Sequence, residues 1–187
     1  MICPSEPKTV ALLRNTAREI HRVWGAKRYF MGHDEIRVLN HCEACRKRDL
    51  SAGEILADNV RTCLGILREV NPGGEIYVWS DTFDPNHNAH ADYYLVRGDL
   101  ASAWEGLDKD VIMVPWAIEF RDKTLEFFAK RGHRQLIAGY YDDDPARVHD
   151  WLDAAKPYPG VTGVMDTTWR NDYSNLERFA REAGFAK

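Results

Sequence analysis

The chain has 187 residues, 44% of them hydrophobic and 29% charged, with a formal net charge of −4. Those figures fit one globular domain, 1–187, large enough to bury a core, and they exclude a disordered chain. No apolar run nears the roughly 20 residues of a membrane span, and no basic stripe supports nucleic-acid binding. The opening Met1-Ile2-Cys3-Pro4 lacks the basic and apolar regions of a signal peptide, so a complete chain is expected in the cytoplasm. Four irregularly spaced cysteines do not form a disulfide scaffold.

Taken in chain order, short apolar runs alternate with helical patterns. Ser5 is a candidate cap for a helix running to about Trp24, stopped by Gly25. Tyr29–Met31 reads as a strand. Ser51 with Glu54 has capping-box spacing and opens a helix to about Val70, ended by Asn71-Pro72-Gly73-Gly74. Ile76–Trp79 is the second strand and, after a long loop, Val111–Val114 the third. Thr124–Arg131 is helical, Leu136–Tyr140 is the fourth strand, Pro145–Ala155 is helical, and Val161–Met165 is the fifth strand. Ser174 with Glu177 repeats the capping-box spacing ahead of a last helix closed by Gly184. Nearly continuous apolar strands alternating with helices predict an α/β fold with about five parallel βα units. No glycine-rich phosphate fingerprint is present, so a nucleotide crevice has no support. Polar and aromatic residues crowd the strand ends instead, as at the catalytic face of a (β/α)8 (TIM) barrel, although a full barrel needs about 250 residues.

Four groups could carry chemistry. Gly32-His33-Asp34-Glu35 follows a strand directly. Adjacent carboxylates there point to opposite sides unless the strand end twists, and a pair can divide the roles of acid and anion. The alternative is a solvated acidic strand end. Trp79, Trp116, Tyr141 and Trp169 each follow a strand. Together they suit the apolar faces of sugar rings, though any one of them is an ordinary core plug. His41-Cys42-Glu43-Ala44-Cys45 has zinc-ligand spacing, but there is no second C-x2-C, and Cys3 or His33 completes a site only if the fold brings it close. A reduced pair without cofactor is the preferred reading there, with Cys63 in a helix core. Asp84, His87 and His90 have metal-ligand chemistry, but a polar loop explains them as well. Asp142-Asp143-Asp144-Pro145 reads as a helix start, with Asp142 next to a strand end.

With these residues in view, the chain resembles the family 20 glycoside hydrolases, the β-N-acetylhexosaminidases, over barrel strands four to eight. Phe30-Met31-Gly32-His33-Asp34-Glu35 is similar to the family's H-x-G-G-D-E signature, with His33 in place of the second glycine. Val78-Trp79-Ser80-Asp81 resembles the end of its fifth strand, Trp116 follows the sixth, Tyr140-Tyr141-Asp142 carries the Y-x-D spacing of the seventh, and Thr167-Thr168-Trp169 resembles the eighth. The resemblance implies substrate-assisted retaining hydrolysis, an exception to the two-carboxylate scheme. Glu35 would be the general acid/base, Asp34 would orient the 2-acetamido group, and Tyr140 would stabilise the oxazolinium. Trp79, Trp116 and Trp169 would wall the pocket, with His33, Asp81 and Asp142 binding substrate and Tyr141 competing for the Tyr140 role. Asn171 stands where the family has Glu, and the first three strands are not covered. The expected partner is a carbohydrate, with self-association or a missing N-terminal barrel half covering the open sheet edge. A carbohydrate-binding module without catalysis is one alternative. A metal-dependent hydrolase using His33, Asp34, Glu35 or the His87/His90 loop is another.

Overall fold

A computed structural model describes residues 2–185. The chain folds as two compact units, residues 1–111 and 112–187. Both are α/β with parallel strands, as the alternation of apolar runs and helical patterns predicts.

In the first unit, α1 spans Pro7–Trp24. Proline at the first helical position fixes its start, because its missing N–H would have been an orphan there anyway. The N-cap is therefore Glu6, without a side-chain cap, rather than Ser5. Gly25 ends the helix in the left-handed conformation and donates its N–H to His21 O at 2.7 Å. Strand β1 (Arg28–Phe30) pairs in parallel with β3 (Glu75–Trp79), Tyr29 opposite Ile76. Between them run β2 (Val38–Leu39), the one-turn α2 (Glu43–Arg46) and α3 (Ala52–Val70). Both halves of the Ser51–Glu54 capping box are made, at 3.1 and 2.8 Å. The buried face of α3 carries Ile55, Leu56, Val60 and Leu64. The long loop after β3 holds a two-residue strand β4 (Leu95–Val96), which pairs in parallel with β2.

Helix α3 also packs against the turn Ala103–Gly106. Gly53 makes that approach possible. Its N–H donates to Asp99 O at 2.9 Å, and a Cβ there would collide with the backbone of Leu100 and Ala101.

The second unit contains β5 (Ile112–Val114), α4 (Arg121–Lys130), β6 (Gln135–Ile137), α5 (Val148–Ala155), β7 (Val161–Val164) and α6 (Leu176–Glu182). β6 lies between β5 and β7, parallel to both, with a register shift between Gln135 and Leu136. Its core joins Leu125, Ile137, Val148, Trp151 and Phe179. The Ser174–Glu177 capping box does not form, and Asn175 is the N-cap of α6. Asp172 takes the Ser174 N–H at 2.9 Å, so a local turn replaces the cap. Among the described residues, no helix is long and apolar enough to cross a membrane.

Gly53→Ala is expected to destabilise the protein by about 1–3 kcal/mol, because backbone must move to admit one methyl group. Urea unfolding of the variant beside wild type measures it.

Candidate functional site

After β1 the chain leaves the strand sharply. Gly32, His33 and Glu35 all have positive φ, at 76°, 69° and 44°. For non-glycine residues this conformation is uncommon and persists only where the surroundings hold it. Three bonds do so here. Trp79 N donates to Gly32 O at 3.2 Å, the Thr82 hydroxyl donates to His33 O, and Glu35 N donates to Asp81 Oδ2 at 2.8 Å. Asp81 has no exposed surface, and the Asn88 side-chain amide donates to the same oxygen at 2.9 Å. Asp34 and Glu35 line one cavity of about 500 Å³, whose walls include Leu13, Met31, Leu39 and Leu56. That volume is ordinary for a small-molecule site.

Two residues at this site carried no sequence signal. The Arg37 guanidinium pairs with the Glu35 carboxylate at 2.6 Å and lies over the Tyr94 ring, 5.0 Å from its centroid. Tyr93 is buried, and desolvation, with the charges of Asp81 and Glu35, pushes its phenol up to about 12, so it stays protonated. Neither was legible, because Tyr93 reaches the site only through the β2–β4 pairing and Arg37 looks like any exposed cation. His33 lines the cavity with its Nε2 3.1 Å from Asn59 Oδ1 and its Nδ1 3.2 Å from Met31 O. Burial lowers its pKa against the opposing pull of these two partners, so the ring is neutral at pH 7. Trp79 does not line this cavity; its ring packs on Phe30 with centroids 4.7 Å apart.

The second unit has its own cavity of about 280 Å³, lined by Trp116, Glu119, Tyr140, Tyr141, Arg147 and Trp169, among others. The structure separates the two tyrosines. Tyr141 is 1% exposed and lies against Phe179, 4.7 Å between centroids, so its ring belongs to the core. Tyr140 is half-buried, with Arg170 over its ring and its hydroxyl on the Asp142 carboxylate. Asp142 ties two strand-end loops together, accepting from Trp169 N at 2.9 Å and Arg170 N at 3.3 Å. Desolvation pushes its carboxyl up, but the bonds from Thr168, Trp169, Tyr140 and Arg170 hold it below the usual range. Asp166, by contrast, is raised by burial and by the Asp142 charge. Trp169 is 64% exposed and open to a ligand.

The loop after β3 folds on itself. Asp84 Oδ1 accepts from the backbone and side-chain amides of Asn86, and His90 Nδ1 meets Ala91 O. Among the described residues, the three-ligand cluster that forms is Cys3, Cys42 and Cys45; His33, Asp34 and Glu35 do not make one, nor do His87 and His90. His41 is not in the cluster, because its Nε2 is bonded to Leu95 O. Cys63 lies half-buried on α3 at the wall of the larger cavity, its thiol pushed up to about 11 by burial.

Compared with known proteins, the chain matches no family model and no curated protein.

His33 generates a pH dependence. Its folded pKa lies below the ordinary value of 6.5, so its contribution to stability is full above 6.5 and is lost as pH falls through the depressed value. Tm is expected to fall between pH 7 and pH 5 by less in His33→Gln than in wild type, as differential scanning calorimetry at matched ionic strength would show.

Proposed function

We propose that the chain is a glycoside hydrolase-like domain acting on β-linked N-acetylhexosaminides, built as the part of a (β/α)8 barrel that carries strands four to eight. The observation that carries the reading is the Asp34–Glu35 pair, fixed in a left-handed turn at the end of a parallel strand and lining a 500 Å³ cavity. The motif resemblance supplies the reaction class, and the geometry supports it by placing both residues at one cavity.

In this reading Glu35 protonates the glycosidic oxygen as the bond to the anomeric carbon breaks. The substrate's own acetamido oxygen attacks that carbon, and Asp34 accepts the acetamido N–H as positive charge spreads into the oxazolinium ring. Water then opens the ring, with Glu35 taking its proton. Held carboxylates matter here, since catalysis depends on geometry fixed before the reaction. The cavity of the second unit contributes a binding surface of its own. Trp116, Tyr140 and Trp169 line it, a set of aromatic side chains suited to sugar C–H groups, and Asp142 holds the loop that carries Trp169.

One observation favours a second reading, carbohydrate binding without turnover. Glu35 is engaged by Arg37 at 2.6 Å, and an acid must leave that pair before it can donate a proton.

Hydrolysis of an aryl β-N-acetylglucosaminide separates the two. Glu35→Gln is expected to lower kcat at least ~100-fold, within the range of general acid catalysis, while sugar binding is kept. Equal rates in both proteins would contradict the acid role. Saturable sugar binding with no turnover in either would support the binding module.

A further inference from the structure

Three cysteine sulfurs converge beside the candidate cavity. Cys3 Sγ lies 3.1 Å from Cys42 Sγ and 3.5 Å from Cys45 Sγ, and all three atoms lie within 4.8 Å of one another. They come from two places in the chain. Cys3 precedes α1, whereas Cys42 is the N-cap of the single-turn α2 and Cys45 lies within it, with Arg46 N donating to Cys42 O at 3.1 Å. A C-x2-C on one turn is the usual bite for a tetrahedral ion, and the fold adds the third sulfur from a distant segment.

We propose that Cys3, Cys42 and Cys45 are three thiolate ligands of a single zinc-type ion, which fixes the Ile2–Pro4 segment against the wall of the candidate cavity. A metal–sulfur distance of about 2.3 Å in tetrahedral geometry requires sulfur–sulfur edges of about 3.8 Å; the two edges at Cys3 are 3.1 and 3.5 Å, so a small outward shift of the thiolates admits the ion. A four-iron cluster would place each thiolate on a different iron and hold the sulfurs further apart. The donor set is all sulfur, which selects against magnesium and calcium. A disulfide would consume two of the three thiols and leave the third behind.

The surroundings fit an anionic thiolate centre. Ser5 Oγ is 3.2 Å from Cys45 Sγ, placed to donate to a thiolate, and Arg48 reaches Ser5 Oγ at 3.5 Å, which brings a cation near the sulfurs. His41 is turned to the Leu95 carbonyl and is not the fourth ligand. The three cysteines instead line a cavity of about 220 Å³, which leaves the fourth position to water or a small external ligand. Ile2, Pro4, Val38 and Leu39 line both this cavity and the larger one that holds Asp34 and Glu35. An ion on the sulfurs therefore holds a shared wall, and this inference stands whether or not the sugar reading does.

Cobalt(II) titration of the full chain, purified reduced and stripped of metal by chelator, tests it. The expected result is a near-ultraviolet sulfur-to-cobalt charge-transfer band that saturates at one equivalent and is displaced by zinc. Cys3→Ser, Cys42→Ser and Cys45→Ser should each weaken binding at least ~10-fold, while Cys63→Ser leaves it unchanged. The wild-type spectrum needs no variant, so a misfolded variant does not blunt the test. Four titratable thiols with no charge-transfer band would overturn the proposal. So would a Cys3–Cys42 disulfide whose reduction restores no metal binding.

Discussion

Asp81 is a carboxylate with no exposed surface at the end of β3, and it takes the Glu35 backbone N–H at 2.8 Å and the Asn88 side-chain amide at 2.9 Å. Both bonds fall on Oδ2, and a buried polar group that is hydrogen-bonded in this way serves as the fixed point between two loops. The bond to Glu35 is one of three that hold the positive φ values of this turn, beside those from Trp79 to Gly32 and from Thr82 to His33. The backbone at Glu35 thus depends in part on a residue that does not line the cavity. Asp81 is a positioning residue in this account, not a ligand of the sugar.

The same logic recurs in the second unit with different chemistry. Asp142 accepts from two backbone amides of the 169–170 loop, and so places Trp169 beside Trp116 and Tyr140 at one cavity. In both units a carboxylate just beyond a parallel strand stitches neighbouring strand-end loops together, and the residues presented to the cavity are its sequence neighbours or the loop it captures. Loops held in this way by a rigid scaffold are where binding groups concentrate.

Much of the fold was legible because its signals are local. The Ser51–Glu54 box formed as its three-residue spacing predicts, and the apolar runs became parallel strands within one residue of their expected ends, except that the strand expected over Leu136–Tyr140 ends at Ile137. Ser5 and Ser174 show the limit of that reading. Pro7 and Asp172 compete for the same helix starts and win, and one-dimensional spacing does not weigh such competitors. The β2–β4 ladder has two residues per strand, too few to show a period. At the site, Asp34 and Glu35 were legible from their motif. Tyr93 and the bond that Asp81 accepts were not, since they depend on contacts across tens of residues, and Arg37, two residues from Glu35, looks like any exposed cation. The packing of the two tyrosines was not legible either: both line the second unit's cavity, but Tyr141 is buried against Phe179 whereas Tyr140 is half-buried.

The proposed function requires Asp34 and Glu35, with Asp81 behind them, to meet a sugar. Amide chemical shifts in a ¹⁵N-labelled sample titrated with N-acetylglucosamine test it most directly. The account predicts saturable shifts at the Asp34 and Glu35 amides, lost in Asp81→Ala although that variant remains folded. Saturable shifts confined to other residues, or none at all in a folded wild-type sample, would contradict it.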